Sequence, residues 1–302
     1  MLLARVSLRT LIWVLLPGWV LEAYRKWRKA QVRQDIQQRI EVGTALDQET
    51  LVQGLRSMGL ENGQSLLVHS SLSSIGAVLG GAPTVIDALQ EAIGPSGTLM
   101  MPSSPVAALQ AEFVRNRPVF NLRSTPSAMG AITEQFRQRP GTQRSLHPTE
   151  PVCAMGPWAK ELTAHHHTHI RPYADQSPWR KWMELGGQIL YVGVTLDQAG
   201  TSLHCAEDEL GLDYMYLPDT VTLPVVDAAG QPGFVETLVH NPIWSAQRRC
   251  DGLIEPLAQA GVLQRVRWGG ADCLLLEARL MLDFLVRAYR ERGVTLYHPE
   301  GS

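Results

Sequence analysis

Residues 64–94 read QSLLVHSSLSSIGAVLGGAPTVIDALQEAIG, and the order of parts within them restricts the fold more than any other stretch. QSLLV is an apolar run of strand length, and the serines and the Gly80–Gly81 pair form a turn. Val85, Ile86, Leu89 and Ile93 then recur at helical spacing. Pro83 suits a first helical turn, and Gly94–Pro95 stops the helix. A strand that passes into a helix through a short turn is the repeating unit of an α/β layer fold.

The alternation continues down the chain. GTLMMPSS reads as a strand, PSAMGAITEQFRQRPG and SPWRKWMELGG as helices, and GGQILYVGVTL as a buried strand. GTSLHCAEDELG then forms a short helix, TVTLPVV and FVETLVHN read as strands, and CLLLEARLMLDFLVRAYRERG as a C-terminal helix. With 302 residues, 45% hydrophobic and 19% charged, the chain can bury a full core. Cys153, Cys205, Cys250 and Cys273 are scattered without a CxxC pair, which fits a reducing cytoplasm better than a disulfide framework.

Charge divides the chain. Residues 1–40 hold eight Lys or Arg against two acids, whereas the remainder is acidic. No clustered basic face in the body points to nucleic acid. The apolar run Leu11–Leu21 has about half the ~20 residues that a membrane span needs, and Pro17–Gly18 interrupts it. A small-x-small cleavage site is also missing. Trp13, Trp19, Tyr24 and Trp27, with Arg25, Lys26, Arg28, Lys29 and Arg33, fit an interfacial segment over residues 5–33. A helix packed on its own domain, or on a second copy in a homo-oligomer, is the competing reading. Residues 1–43 are therefore a basic amphipathic segment and 44–302 the main domain.

Four stretches carry chemistry. The serine turn ending at a helix N-terminus offers free N–H groups and hydroxyls to an anion, although it lacks the P-loop and Rossmann fingerprints. In TSLHCAEDE, His204 and Glu207 stand three apart on one helix face. That spacing serves either a general base with its orienting carboxylate or a solvated surface pair. In RSLHP, His147 precedes a proline and suits either chemistry or a satisfied loop. HHHTH, His165–His169, lacks the ligand spacing of a metal site and reads as an exposed loop, so no metal is expected. There is no GxSxG elbow and no papain-like or caspase-like cysteine context.

LLVHSSLSSIG, GGAPTVIDALQEAIGPSGTLMMP, RSLHPTEPVCAMG, SPWRKWMELGGQILYVGV and TSLHCAED occur here in a fixed order. Together they resemble the aminoglycoside 3-N-acetyltransferase family, from about residue 45 to 290. The resemblance implies a central mixed sheet flanked by helices, distinct from the GNAT fold, and acetyl-coenzyme A as donor to an amine of an amino sugar or aminoglycoside. It makes His204 with Glu207, and His147, the candidates for proton transfer. Ser70, Ser71, Ser73, Gly80, Gly81, Thr84 and Ser145 become candidates for cofactor contact, with Thr201 near the thioester.

Two departures bear on the acceptor. Family members that modify antibiotics carry an acidic or aromatic residue after the TLMMP strand, whereas SSPVAAL has no charge until Glu112. The basic leader is also outside the core pattern. Both favour an amino sugar on a nucleotide or lipid carrier in surface-polysaccharide synthesis, with a cytoplasmic enzyme peripheral on the inner membrane face. Antibiotic resistance is the alternative.

Overall fold

The computed structural model describes residues 18–301. Its centre is a seven-stranded sheet of β1 (Leu66–Ser70), β2 (Leu99–Pro102), β4 (Gln143–Arg144), β5 (Val152–Met155), β6 (Gln188–Val192), β9 (Leu263–Trp268) and β10 (Ala271–Glu277). The order is β4-β5-β2-β1-β6-β10-β9. β1 runs parallel to β2 and β6, while β5 and β10 flank that trio antiparallel, so the sheet is mixed.

Alternation along β1 explains why both faces are covered. Leu66 and Val68 point into one core with helices Gln48–Ser57, Ala82–Ile93 and Ala131–Arg137. Leu67 points into the other, with Trp179 and Trp182 of helix Pro178–Leu185 and Met281 of helix Ala278–Arg292. A strand buried on both sides must read as a continuous apolar run, and LLV does. Helix Ala82–Ile93 has Pro83 in its first turn and closes at Gly94, as its sequence predicts.

The C-terminal run corrects one expectation. CLLLE is not helical: Cys273–Glu277 belongs to β10, and the helix begins at Ala278 with the Glu277 side chain accepting from Arg279 and Leu280 N–H. Cys273 and Leu275 face one core and Leu276 the other, a period of two that packs between β6 and β9. A smaller sheet of β3 (Phe120–Asn121), β7 (Val221–Val226) and β8 (Pro232–Thr237) lies in the order β3-β7-β8.

Helix Gly18–Glu41 precedes the body. The expected interfacial segment lies in part outside the described residues. No helix among the described residues is long and apolar enough to cross a membrane.

Candidate active site

β1 and β6 end side by side, and the chain leaves them toward opposite faces, β1 to helix Ala82–Ile93 and β6 to helix His204–Glu209. A crevice opens where parallel strands part in this way. Its walls touch below: Ser71 N–H donates to Val192 O at 2.9 Å. Gly193 follows with φ +61°, and a Cβ there would lie 2.1 Å from Ser74 Cβ, so only glycine allows this approach.

The βα connection gathers most of the residues expected at a cofactor. Ser70 closes β1, and its buried Oγ has no hydrogen-bond partner. Ser71 and Ser73 share a hydroxyl contact at 3.2 Å. Gly80 and Gly81 lead into the helix whose first turn contains Thr84, and a Cβ on Gly80 would meet Thr84 Oγ1 at 2.5 Å. An orphaned hydroxyl beside a tight turn and a 12-residue helix N-terminus suits an anionic ligand with polar arms.

Ser145 lies elsewhere. It is fully buried, its Oγ accepting from Val152 N–H at 2.9 Å and meeting His166 Nδ1 at 2.9 Å. His166 Nε2 faces the Pro172 carbonyl at 3.0 Å, and a carbonyl only accepts, so Nε2 carries the proton and Ser145 donates to Nδ1. His166 is thus buried, although His165 and His167 on either side are exposed, as expected of the histidine loop. Among the described residues, no group of three His, Cys, Asp or Glu could hold a metal ion.

A cleft of about 350 Å³ is walled by Ser104, Val106–Gln110, Thr201 and His204 among others. Thr201 sits in the turn Gly200–Leu203 that delivers His204 to the cleft. His204 Nδ1 lies 2.5 Å from Glu207 Oε2, and both residues are buried, which excludes the solvated-pair reading. Among the described residues, no hydrogen bond engages Nε2. Burial holds the imidazole well below its ordinary value and raises the Glu207 carboxyl to about 8. The short contact opposes both, since a carboxylate there favours the Nδ1–H tautomer.

His147 does not line the cleft. Its Nδ1 accepts from Glu150 N–H at 3.0 Å and its Nε2 meets Thr237 Oγ1 at 3.2 Å. Its ring stacks on His166 with centroids 4.3 Å apart.

Four cleft residues escaped the sequence reading: Glu150, Tyr173, His240 and Arg248. Arg248 Nη2 donates to His240 Nδ1 at 2.9 Å, which leaves the His240 proton on Nε2, 2.9 Å from the Tyr173 hydroxyl. Tyr173 in turn bonds the Glu150 carboxyl. Gln110 closes the ring, accepting from His240 N–H at 3.1 Å and donating to Glu150. The His240 ring packs edge-on against His204, centroids 4.6 Å apart. Burial raises Glu150 to about 7.

The sequence profile described as Aminoglycoside 3-N-acetyltransferase matches residues 67–290. Aminoglycoside N(3)-acetyltransferase VII of Streptomyces paromomycinus is 31% identical over 273 residues, covering 80% of this chain and 93% of that protein. Aminoglycoside N(3)-acetyltransferase III of Salmonella sp. is 36% identical over 172 residues, covering 53% of this chain and only 59% of that enzyme. Among solved structures, AAC-IIIb in a binary complex with CoASH superposes with a TM-score of 0.68 at 25% identity, over 82% of this chain and 97% of that one. AAC-VIa bound to sisomicin superposes with a TM-score of 0.66 at 27% identity, over 82% and 98%. The chain belongs to the aminoglycoside 3-N-acetyltransferase family.

Proposed function

We propose that the protein transfers an acetyl group from acetyl-coenzyme A to an amine of an aminoglycoside or amino sugar. The observation that carries this is the buried His204–Glu207 pair, whose histidine lines the cleft with no hydrogen bond on Nε2 among the described residues. The family and the CoASH and sisomicin complexes of its structural neighbours support the same reading. Bound acetyl-coenzyme A supplies the acyl group as a thioester. Ser70, Ser71, Ser73, Gly80, Gly81 and Thr84 hold its polar arm, and Thr201 stands near the reacting end. As the acceptor nitrogen bonds the acetyl carbon and the thioester C–S bond breaks, His204 Nε2 takes the proton that the nitrogen sheds and returns it to the departing sulfur, while Nδ1–H stays hydrogen-bonded to Glu207, whose charge steadies the imidazolium.

The relatives' names favour an aminoglycoside as the first acceptor to test, and none supports surface-polysaccharide synthesis. The test is thiol release from acetyl-coenzyme A with sisomicin, against a control without acceptor. Acceptor-dependent release is expected; release to water alone would make the protein a thioester hydrolase instead.

Attachment of residues 5–33 to an anionic membrane surface is a separate proposal. Exposure of Tyr24 and Trp27 supports it, and co-flotation with phosphatidylserine liposomes tests it.

A further inference from the structure

Residues 106–109 give the cleft an uncharged wall, so the charge around His204 comes from other segments. Among the described residues Arg248 is the one Lys or Arg in the lining, and two buried carboxyls feel it, Glu150 and Glu207. One cation serves two acids.

Glu207 is the more demanding of the two. Its Oε2 lies against His204 Nδ1, but no hydrogen bond among the described residues reaches its buried Oε1. Burial pushes this carboxyl up, and a protonated Glu207 would not steady an imidazolium. Three groups oppose the burial: the Arg248 charge and the Tyr214 and Tyr297 hydroxyls, which face the carboxyl. The Tyr297 hydroxyl also reaches Arg248, so it links the cation to the acid. The Cys250 thiol is near as well, but burial pushes it up to about 12, so it stays neutral. From helix Ala278–Arg292, Tyr289 approaches Tyr214.

Packing fixes these groups. Trp244 lies against both phenol rings, its centroid 4.8 Å from Tyr214 and 5.1 Å from Tyr297, and the two phenols meet edge-on at 5.7 Å. Tyr297 belongs to the segment that follows the last helix, and it is buried. Arg249 N–H donates to Leu296 O at 2.8 Å, which ties the loop carrying Arg248 to the residue before Tyr297. A Cβ on Gly252 would meet Pro299 Cγ at 2.5 Å, so the segment lies tight on the turn Cys250–Leu253. The segment is beyond residues 67–290, which the family profile matches. Tyr297 does not line the cleft.

We propose that Arg248 and Tyr297, with Tyr214, are positioning residues that hold Glu207 charged and aimed at His204, which makes the C-terminal segment a working part of the site. This rests on the reading of His204 and Glu207 as the proton-transfer pair.

The test follows the Glu207 carboxyl by NMR in protein made with carboxyl-labelled glutamate, its signal assigned by its loss in Glu207→Gln. Tyr297→Phe keeps the ring and removes only the hydroxyl. It is expected to raise the titration midpoint of Glu207 by about one pH unit, the scale of one hydrogen bond to a charged group. Arg248→Gln should raise it at least as far, and Arg248→Lys, which keeps the charge, by less. Turnover of acetyl-coenzyme A with sisomicin should follow. In Tyr297→Phe kcat falls about tenfold on the acid side of neutrality and recovers as pH rises, with KM for acetyl-coenzyme A unchanged. In Glu207→Gln the same substitution should cost little more, since no charge remains to be held.

An unmoved midpoint in either Tyr297→Phe or Arg248→Gln, with Glu207→Gln impaired, overturns the proposal and leaves the proton-transfer pair standing. A kcat loss that is equal at every pH and persists in Glu207→Gln makes Tyr297 a structural support and overturns it too. An unimpaired Glu207→Gln removes the pair itself, and the proposal with it.

Discussion

His204 and Glu207 are one helical turn apart, both buried, with Nδ1 and Oε2 separated by 2.5 Å. The pair holds one ring nitrogen fixed and presents the other. His204→Ala is expected to lower kcat by ~10²–10⁴-fold with coenzyme A binding retained. Glu207→Gln keeps a hydrogen-bond acceptor but loses the charge, and is expected to cost at least about tenfold. Steady-state kinetics with parallel calorimetry of coenzyme A checks both; an unimpaired His204→Ala removes the base assignment.

His147 is expected to behave differently. Both its nitrogens are engaged, so His147→Ala leaves Glu150 N–H without its acceptor in a buried site, while the Thr237 hydroxyl keeps the Ile170 and Leu238 carbonyls. Stability should fall by roughly 1–3 kcal/mol, with a smaller effect on kcat than His204→Ala. Urea unfolding beside a turnover assay separates the two effects.

Buried groups of both signs shape stability against pH. Burial holds His69 and His166 at about 3 and His147, His204 and His240 well below the free imidazole value of 6.5. Below that value the unfolded chain binds protons the folded chain refuses, so stability is lost as pH falls. Glu150 and Asp208 are raised by burial to about 7 and 6, so their contribution is lost as pH rises through those values. Stability should peak near neutrality. Glu150→Gln should remove part of the alkaline decline: relative to wild type it gains on the order of 3 kcal/mol between pH 4.5 and 7. A difference that stays constant across that range in urea melts contradicts a raised Glu150.

Two serines give a paired contrast. Ser70→Ala removes an unpartnered hydroxyl at the β1 turn and should raise KM for acetyl-coenzyme A by about tenfold. Ser145→Ala removes the link between His166 and Val152 N–H, so it should lower the unfolding free energy by roughly 1–3 kcal/mol and leave that KM little changed. The reverse pattern would place the cofactor against Ser145.

Local pattern carried much of the architecture. Apolar runs and glycine stops are enough to find β1, β6 and helix Ala82–Ile93, because each is one continuous segment with its own period. The pattern misled at CLLLE, where four apolar residues in a row before a real helix fit either period and contact with β6 decides. The His204–Glu207 pair was legible because its members share one helix face. Glu150, Tyr173, His240 and Arg248 were not, since their juxtaposition depends on strands and loops folding together across nearly a hundred residues of chain.

The uncharged wall and the base belong to different parts of the chain. Val106–Leu109 hang from the end of β2, while His204 and Glu207 ride a separate short helix beyond β6. Mutational drift in the wall can therefore redraw the list of accepted amines while the proton-handling helix keeps its sequence. Lineages of this fold are free to diversify in diet while conserving their chemistry, and residues 104–110 are where such divergence should first be sought.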